Sequence, residues 1–265
     1  MKKAFVTYLG TADFLPGVLA LAKSLKKHNE TALIILVTRD IPSDMVSSLT
    51  GQGHTIKIVE EIPSPFSSKN DIRGFRFMYT KLNIFGMTEF DKIVYLDADM
   101  LVLESIENLF EKPHLSAVVA GGLAPENKDW RQLNAGLLVV EPNGDLFAEM
   151  KSKVATLSSS DHSDQGFLHS FYENWPSEQH LHLEHKYNLP AQYIDVYCRK
   201  FDFQFSYKDG TLVTKNFAVL HYWGPDKPWH FNSKALAEMW PGRFQQSVKL
   251  WWSYSGDRSR DENGK

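Results

Sequence analysis

Residues 32–38 read Ala-Leu-Ile-Ile-Leu-Val-Thr, an apolar run with no polar alternation. A strand wetted on one face alternates, so this run is expected to be a strand buried on both faces, inside a parallel sheet covered by helices. Ala4–Tyr8 and Lys92–Leu96 are similar short runs. Between the first two, the stretch from Pro16 to about His28 sets Val18, Leu21, Ala22 and Leu25 on one helical face, with Pro16 suited to the first turn. Strands alternating with helices imply βαβ units and right-handed crossovers, an α/β fold class. Ser43 is expected to cap a helix through Leu49, Thr55–Val59 alternates as a strand, and Pro63-Ser64-Pro65 marks a loop. Further helices are expected over Phe77–Phe85, Leu146–Leu157 and Gln165–Tyr172, and strands over Ala117–Ala120, Gly136–Val140 and Phe217–His221. The 265 residues contain no repeat and no low-complexity linker. One domain over residues 1–255 is the reading, with the polar stretch 256–265 expected to be disordered.

The charge balance, 29 Lys and Arg against 32 Asp and Glu, leaves no basic excess to neutralise a nucleic-acid backbone. A single cysteine, Cys198, excludes an internal disulfide and a Cys-built zinc site, and suits the cytoplasm. The apolar stretch after Met1-Lys2-Lys3 is too short for a signal-peptide core or a membrane helix. Trp240, Phe244, Trp251, Trp252 and Tyr254 either cover the core or form an interface, which leaves a homodimer open.

The chemistry concentrates where Lys92–Leu96 runs into Asp97-Ala98-Asp99 before apolar residues resume at Met100. Two carboxylates inside an apolar stretch need water, donors or a cation. In extended backbone, residues two apart face the same side, so both can grip one hard divalent ion. The carboxyl end of a parallel strand is also where open α/β sheets bind ligands. The plainer alternative is a pair of capping aspartates. His221 ends the strand-like Phe217–Leu220 and supplies a third ligand of a kind that suits Mn²⁺ better than Ca²⁺, with Mg²⁺ also allowed. Gly224 and Lys227 follow it, a close backbone approach and a point charge for a diphosphate. Asp161 and Asp164 open a helix as caps or as carboxylates near a reacting carbon, with Gln165 beside them. Asn134-Ala135-Gly136 is either a plain turn or a contact to a hydroxyl-rich ligand. Lys81 is either solvated or an inward cation. Gly10-Thr11-Ala12 after the first strand lacks the Gly spacing of a nicotinamide-dinucleotide site.

Taken in order, Phe5-Val6-Thr7, Thr80-Lys81-Leu82, Asp97-Ala98-Asp99, Asn134-Ala135-Gly136, Asp164-Gln165-Gly166, Tyr187-Asn188-Leu189 and His221 through Lys227-Pro228-Trp229 resemble glycosyltransferase family 8. The branch it looks like is that of glycogenin and galactinol synthase, and the resemblance spans about residues 4–230. It implies a GT-A fold, with a Rossmann-like nucleotide half fused to an acceptor half in one continuous mixed sheet. It implies a Mn²⁺-assisted, anomer-retaining transfer of a hexose from a UDP-sugar to a hydroxyl of a polyol, glycan or glycolipid. Glucose and galactose lead as donor sugars, ahead of N-acetylglucosamine and glucuronic acid. By position, Asp97, Asp99 and His221 match the metal ligands, and Gly224 and Lys227 the diphosphate contacts. Tyr8, Leu9, Thr11 and Phe14 fall where the family holds uridine. Ala98, Asn134, Ala135, Gly136, Asp161, Asp164 and Gln165 surround the donor, with Asp164 and then Gln165 nearest the reacting centre and Lys81 a donor-site lysine. Arg73 and Arg76 compete for a donor-site arginine, with Arg76 favoured. The position of the self-glucosylated tyrosine of glycogenins holds Asp195, which argues for a separate acceptor.

Overall fold

The computed structural model describes residues 1–66, 75–121, 129–239 and 242–255. The expected disorder of 256–265, as well as Arg73 and Trp240, lies outside the described residues, as does the side chain of Arg76.

The unbroken apolar run at residues 32–38 is a strand, β2 (Leu33–Val37), inside a five-stranded sheet. Its neighbours are β1 (Lys3–Leu9) on one side and β3 (Thr55–Ile58) on the other, both parallel to it. β1 also pairs in parallel with β4 (Lys92–Leu96), with Val6 opposite Tyr95. β6 (Leu137–Val140) closes the sheet antiparallel to β4, Leu96 opposite Leu137. Ile35, Leu36, Val94 and Leu96 have no solvent exposure, which is why the run cannot alternate. The helix α1 (Leu15–His28) buries Val18, Leu21, Ala22 and Leu25 as its periodicity requires, with Pro16 in its first turn.

The sheet is not continuous. β4 ends at Leu96, the chain turns over Asp97–Asp99, and β5 (Met100–Val102) enters a separate three-stranded sheet. There β10 (Val219–His221) lies between β5, antiparallel, and β7 (Leu189–Pro190), parallel. The Asp97 N–H still donates across to Gly136 O at 2.8 Å, the last bond of the β4–β6 ladder, and the Met100 N–H then turns back onto Asp97 O at 3.2 Å, which closes the turn and ends that ladder. α1 ties the sheets together: the Ser24 hydroxyl donates to Leu21 O and accepts from the Val102 N–H.

Other boundaries shift for local reasons. Ser43 is the first residue of α2 (Ser43–Gly51), whose N-cap is Pro42, so it does not cap. The expected helix over Phe77–Phe85 is a short α3 (Phe75–Met78) followed by 3-10 turns through Gly86. Ala117–Ala120 forms only isolated bridges, Ala117 to His182 and Val119 to Leu133. The helices α4 (Gly144–Lys153) and α5 (Asp164–Phe171) follow. Beyond them come α6 (Ile194–Lys200), the hairpin β8 (Gln204–Lys208) and β9 (Thr211–Lys215), α7 (Ser233–Met239) and α8 (Arg243–Ser255). Phe244, Trp251, Trp252 and Tyr254 on α8 are buried within the chain, and Trp252 donates its indole N–H to Pro228 O. They cover the core.

Candidate active site

The break between the two sheets builds the site. Because β5 pairs antiparallel with β10, His221 lies opposite Met100, one residue past Asp99. The Tyr222 N–H then donates to Asp99 O at 3.0 Å. Asp97, Asp99 and His221 consequently offer three ligand atoms within 4.8 Å of one another. His221 Nε2 lies 3.2 Å from Asp99 Oδ1 and 4.0 Å from Asp97 Oδ2.

Hydrogen bonding settles which ring nitrogen faces that cluster. The Gly136 N–H can only donate, so the atom it meets at 2.8 Å is Asn134 Oδ1. Asn188 therefore turns its amide nitrogen to that same oxygen, also at 2.8 Å, and its own Oδ1 to His221 Nδ1 at 2.8 Å. The Nδ1 atom carries the proton, which leaves the Nε2 lone pair aimed at two carboxylates. Three electron-pair donors converging in this way fit a divalent cation, and an oxygen-rich set with one imidazole suits a metal of the Mn²⁺ or Mg²⁺ kind. The backbone there must be glycine: a Cβ on Gly136 would stand 2.6 Å from His221 Cε1.

Two lysines hold the carboxylates. Lys227 Nζ pairs with Asp99 and donates to Tyr222 O at 2.9 Å. Burial alone would raise the Asp99 carboxyl, but the Lys227 ammonium paired with it outweighs burial and holds the group well below the usual carboxylate range. Lys81 Nζ lies 2.7 Å from Asp164 Oδ2 and 3.3 Å from Asp97 Oδ1, and donates to Ala135 O at 3.1 Å. Burial works against its charge, yet Asp164 and Asp97 more than compensate and keep the ammonium above its ordinary pKa. Asp164 itself is pushed up by burial, with Lys81 opposing and Asp97 adding to the rise. The Tyr95 hydroxyl donates to Asp97 Oδ1 at 2.8 Å.

The cleft has two lobes that share Met78, Lys81, Asp97, Asp99 and Asp164. The smaller, about 240 Å³, is walled by Tyr8, Gly10, Thr11, Phe14, Ala98 and Lys227. The larger, about 420 Å³, is walled by Asn134, Ala135, Gly136, Gln165, His221 and Gly224, with Trp130 and Trp223. Most of the residues singled out in the sequence thus meet around one cleft. Leu9 does not: its side chain is buried with Val18, Ile35 and Val37. Asp161 does not line the cleft either. Its Oδ1 accepts from the Ser163 and Gly166 N–H groups, both at 3.0 Å, and so shapes the start of α5. Neither aspartate is the N-cap, because the Ser163 side chain takes that place and leaves Asp164 as the first helical residue. Gln165 Oε1 accepts from the Ala135 N–H at 2.9 Å, which turns its amide N–H groups to the cleft. Asp195, at the glycogenin tyrosine position, is paired with Arg243.

The glycosyl transferase family 8 model matches residues 5–233. The chain belongs to this family. Among its relatives, inositol phosphorylceramide glucuronosyltransferase 1 of Arabidopsis thaliana is 38% identical over 66% of this chain and 31% of its own length. Galactinol synthase 1 of Solanum lycopersicum is 29% identical over 97% of this chain and 83% of its own. The chain spans about a third of the length of the plant glucuronosyltransferases that it matches. The crystal structure of the glycosyltransferase GlyE of Streptococcus pneumoniae superposes with a TM-score of 0.63 at 24% identity, over 96% of this chain and 61% of that one. The fold is therefore of the GT-A type, its central sheet divided at Asp97–Asp99 as described.

Several residues at the cleft had no role assigned from the sequence, among them Met78, Tyr95, Trp130 and Trp223, with Asn188 behind His221. Tyr95 is two residues before Asp97 and so on its face of the strand, a signal the alternation carries. Asn188 stood in a family motif without an assigned role. Trp223 likewise stood inside the His221–Lys227 stretch without a role, whereas Trp130 had no local signal, because only the folded chain brings it to the cleft rim.

Proposed function

We propose that this family 8 member is a retaining transferase that moves a hexose from a UDP-sugar to a hydroxyl acceptor with Mn²⁺, or Mg²⁺, held by Asp97, Asp99 and His221. The observation that carries the reading is the convergence of these three ligands at the waist of a two-lobed cleft, with Lys81 and Lys227 alongside. The cation would supply positive charge to the diphosphate leaving group. Lys227, at the wall of the smaller lobe, adds a second positive charge there, and Tyr8, Thr11 and Phe14 form the surface for the uridine. Gly224, at a backbone φ of 80° that favours glycine, leaves the chain free to approach the diphosphate.

In the larger lobe, Asn134 and the Gln165 amide face the donor sugar, and Asp164 is the carboxylate nearest its anomeric carbon. Lys81 holds Asp164 in place and keeps the paired carboxylates compensated. The bond from the anomeric carbon to the diphosphate oxygen breaks and a bond to the acceptor oxygen forms on the same face of the sugar. The acceptor hydroxyl proton leaves with UDP. Asp164 stabilises the positive charge that develops on the sugar. Glucose or galactose is the expected sugar, and the glucuronosyltransferases among the relatives make UDP-glucuronic acid the next donor to assay. Among the described residues no helix is long and apolar enough to cross a membrane. Placement in the cytoplasm belongs to the same reading and rests on the lone Cys198.

The test is UDP release by the purified protein from a panel of UDP-sugars, with Mn²⁺ or with EDTA. Release from one sugar, absent with EDTA and lost in Asp99→Asn, is expected. No release, together with no UDP-sugar raising the melting temperature, would overturn the assignment.

A further inference from the structure

Beside the larger lobe lies a second hollow that the transfer chemistry does not use. It is a groove of about 770 Å³ bordered by Asp129, Gln132, Ser158, Ser160 and Glu173. Trp130 lines both this groove and the larger lobe, so the two adjoin at its indole. The ring is braced: His169 meets it edge-on at 5.8 Å and 89°, and His169 Nε2 is tied to Leu133 O at 2.7 Å. A half-buried, braced aromatic wall facing a polar hollow is a surface for a ligand with apolar faces and polar edges.

The polar groups specify those edges. Asp129 and Glu173 are acceptors only, and the serine hydroxyls and the Gln132 amide can both donate and accept. The set suits a ligand rich in O–H donors. Among the described residues the groove has carboxylates on its border and no Lys or Arg, so an anionic ligand would meet only like charge. Size gives the third constraint. Ligand sites run to about 300–1,000 Å³, and the 420 Å³ lobe already falls in that range, so the adjoining 770 Å³ has room for more than the reacting unit.

We infer that the acceptor is a neutral oligosaccharide, whose reacting unit enters the lobe at Asp164 while the following units cross Trp130 into this groove. The inference rests on the transferase reading above and narrows its acceptor. A lone small polyol would leave the groove unused, and a phosphate- or uronate-bearing acceptor would be repelled by it.

Calorimetric titration of the intact protein with UDP and Mn²⁺ present tests the groove without turnover. The probes are the neutral malto-, cello-, xylo- and manno-tetrasaccharides, with tetragalacturonate as the anionic counterpart. At least one neutral glycan should bind, and tetragalacturonate about 10-fold more weakly or not at all. Trp130→Ala should weaken neutral binding by about 10-fold, and Trp130→Phe should restore most of it. The double variant Asp129→Lys, Glu173→Lys changes exposed side chains only, and should shift the neutral-to-anionic preference toward tetragalacturonate. Absence of neutral binding, unchanged affinity in Trp130→Ala, or no charge preference in either protein would overturn the inference. Glycan binding without UDP release from any UDP-sugar would sink the transferase reading and leave the groove standing. UDP release without glycan binding would do the reverse.

Discussion

Asn188 touches neither proposed metal nor proposed donor, yet it sets the orientation of His221, and Asn188→Leu tests that dependence. The replacement has a similar volume and removes two bonds of 2.8 Å: the one accepted from His221 Nδ1 and the one donated to Asn134 Oδ1. Asn134 Oδ1 keeps the Gly136 N–H, so the buried group left without a partner is His221 Nδ1–H. An orphaned buried donor costs about 1–3 kcal/mol, and a chain of this size loses roughly 2–4 °C of melting temperature per kcal/mol. A fall of about 5 °C is expected for the variant. The metal effect should be larger in kind, since the ring loses the bond that fixes its tautomer and angle. Losing such a supporting partner weakens metal affinity by about 10- to 100-fold. Mn²⁺ titration of wild type and variant by calorimetry, beside thermal melts with and without Mn²⁺, reads both quantities. If the melting temperature falls but Mn²⁺ affinity stays within about 3-fold, the amide ladder is structural and packing by Gly136 and Met100 orients the ring. That result would refute the reasoning.

Three other outcomes follow from the same geometry. Gly136→Ala places a Cβ 2.6 Å from His221 Cε1 and 2.9 Å from Met100 Cε; the methionine can move aside but the braced imidazole cannot, so Mn²⁺ affinity should fall by about 10-fold or more, and wild-type affinity in a titration would contradict this. Lys81→Met removes the cation between Asp164 and Asp97 and should cost about 3–5 kcal/mol in denaturant unfolding, while adding Asp164→Leu should return part of the loss; a double variant weaker than the single would count against the pairing. His28, His114, His169 and His185 all have pKa values lowered by burial, so the unfolded chain takes up their protons first, and the stability present above about pH 6.5 is lost as pH falls through the folded values. The melting temperature should therefore be lower at about pH 5 than at about pH 7.5, and an equal or higher value at the acid end would be wrong for these buried rings.

What could be read from the chain alone was whatever depends on neighbours in sequence. The unbroken apolar run at Leu33–Val37 marked a doubly covered strand, because burial on both faces removes the polar alternation. Asp97 and Asp99 were legible as a pair because strand geometry sets residues two apart on one side. His221 and Lys227 were legible as candidates because each follows an apolar strand with a glycine turn between them. Boundaries failed where a side chain two or three residues away competed for the same backbone donors. Ser163 displaced both aspartates as the cap of α5 for this reason, and Asp161 was drawn into the loop that precedes it.

The remainder was decided by pairing between distant segments. Whether Asp97 and Asp99 meet His221 depends on β5 leaving the first sheet and pairing with β10, a contact across 117 or more residues with no local signature. The proton on His221 is set by a relay through Gly136, Asn134 and Asn188, and Asn188 reaches the other two only after β6 and β7 are in place. Leu9 shows the converse, since its position in the motif suggested the cleft, whereas its direction out of β1 committed it to the core. Trp130 reached the rim of the cleft in the same way, through a bridged segment and the brace of His169. Local chemistry nominated the residues, and the division of the sheet at Asp97–Asp99 determined which of them share a cleft.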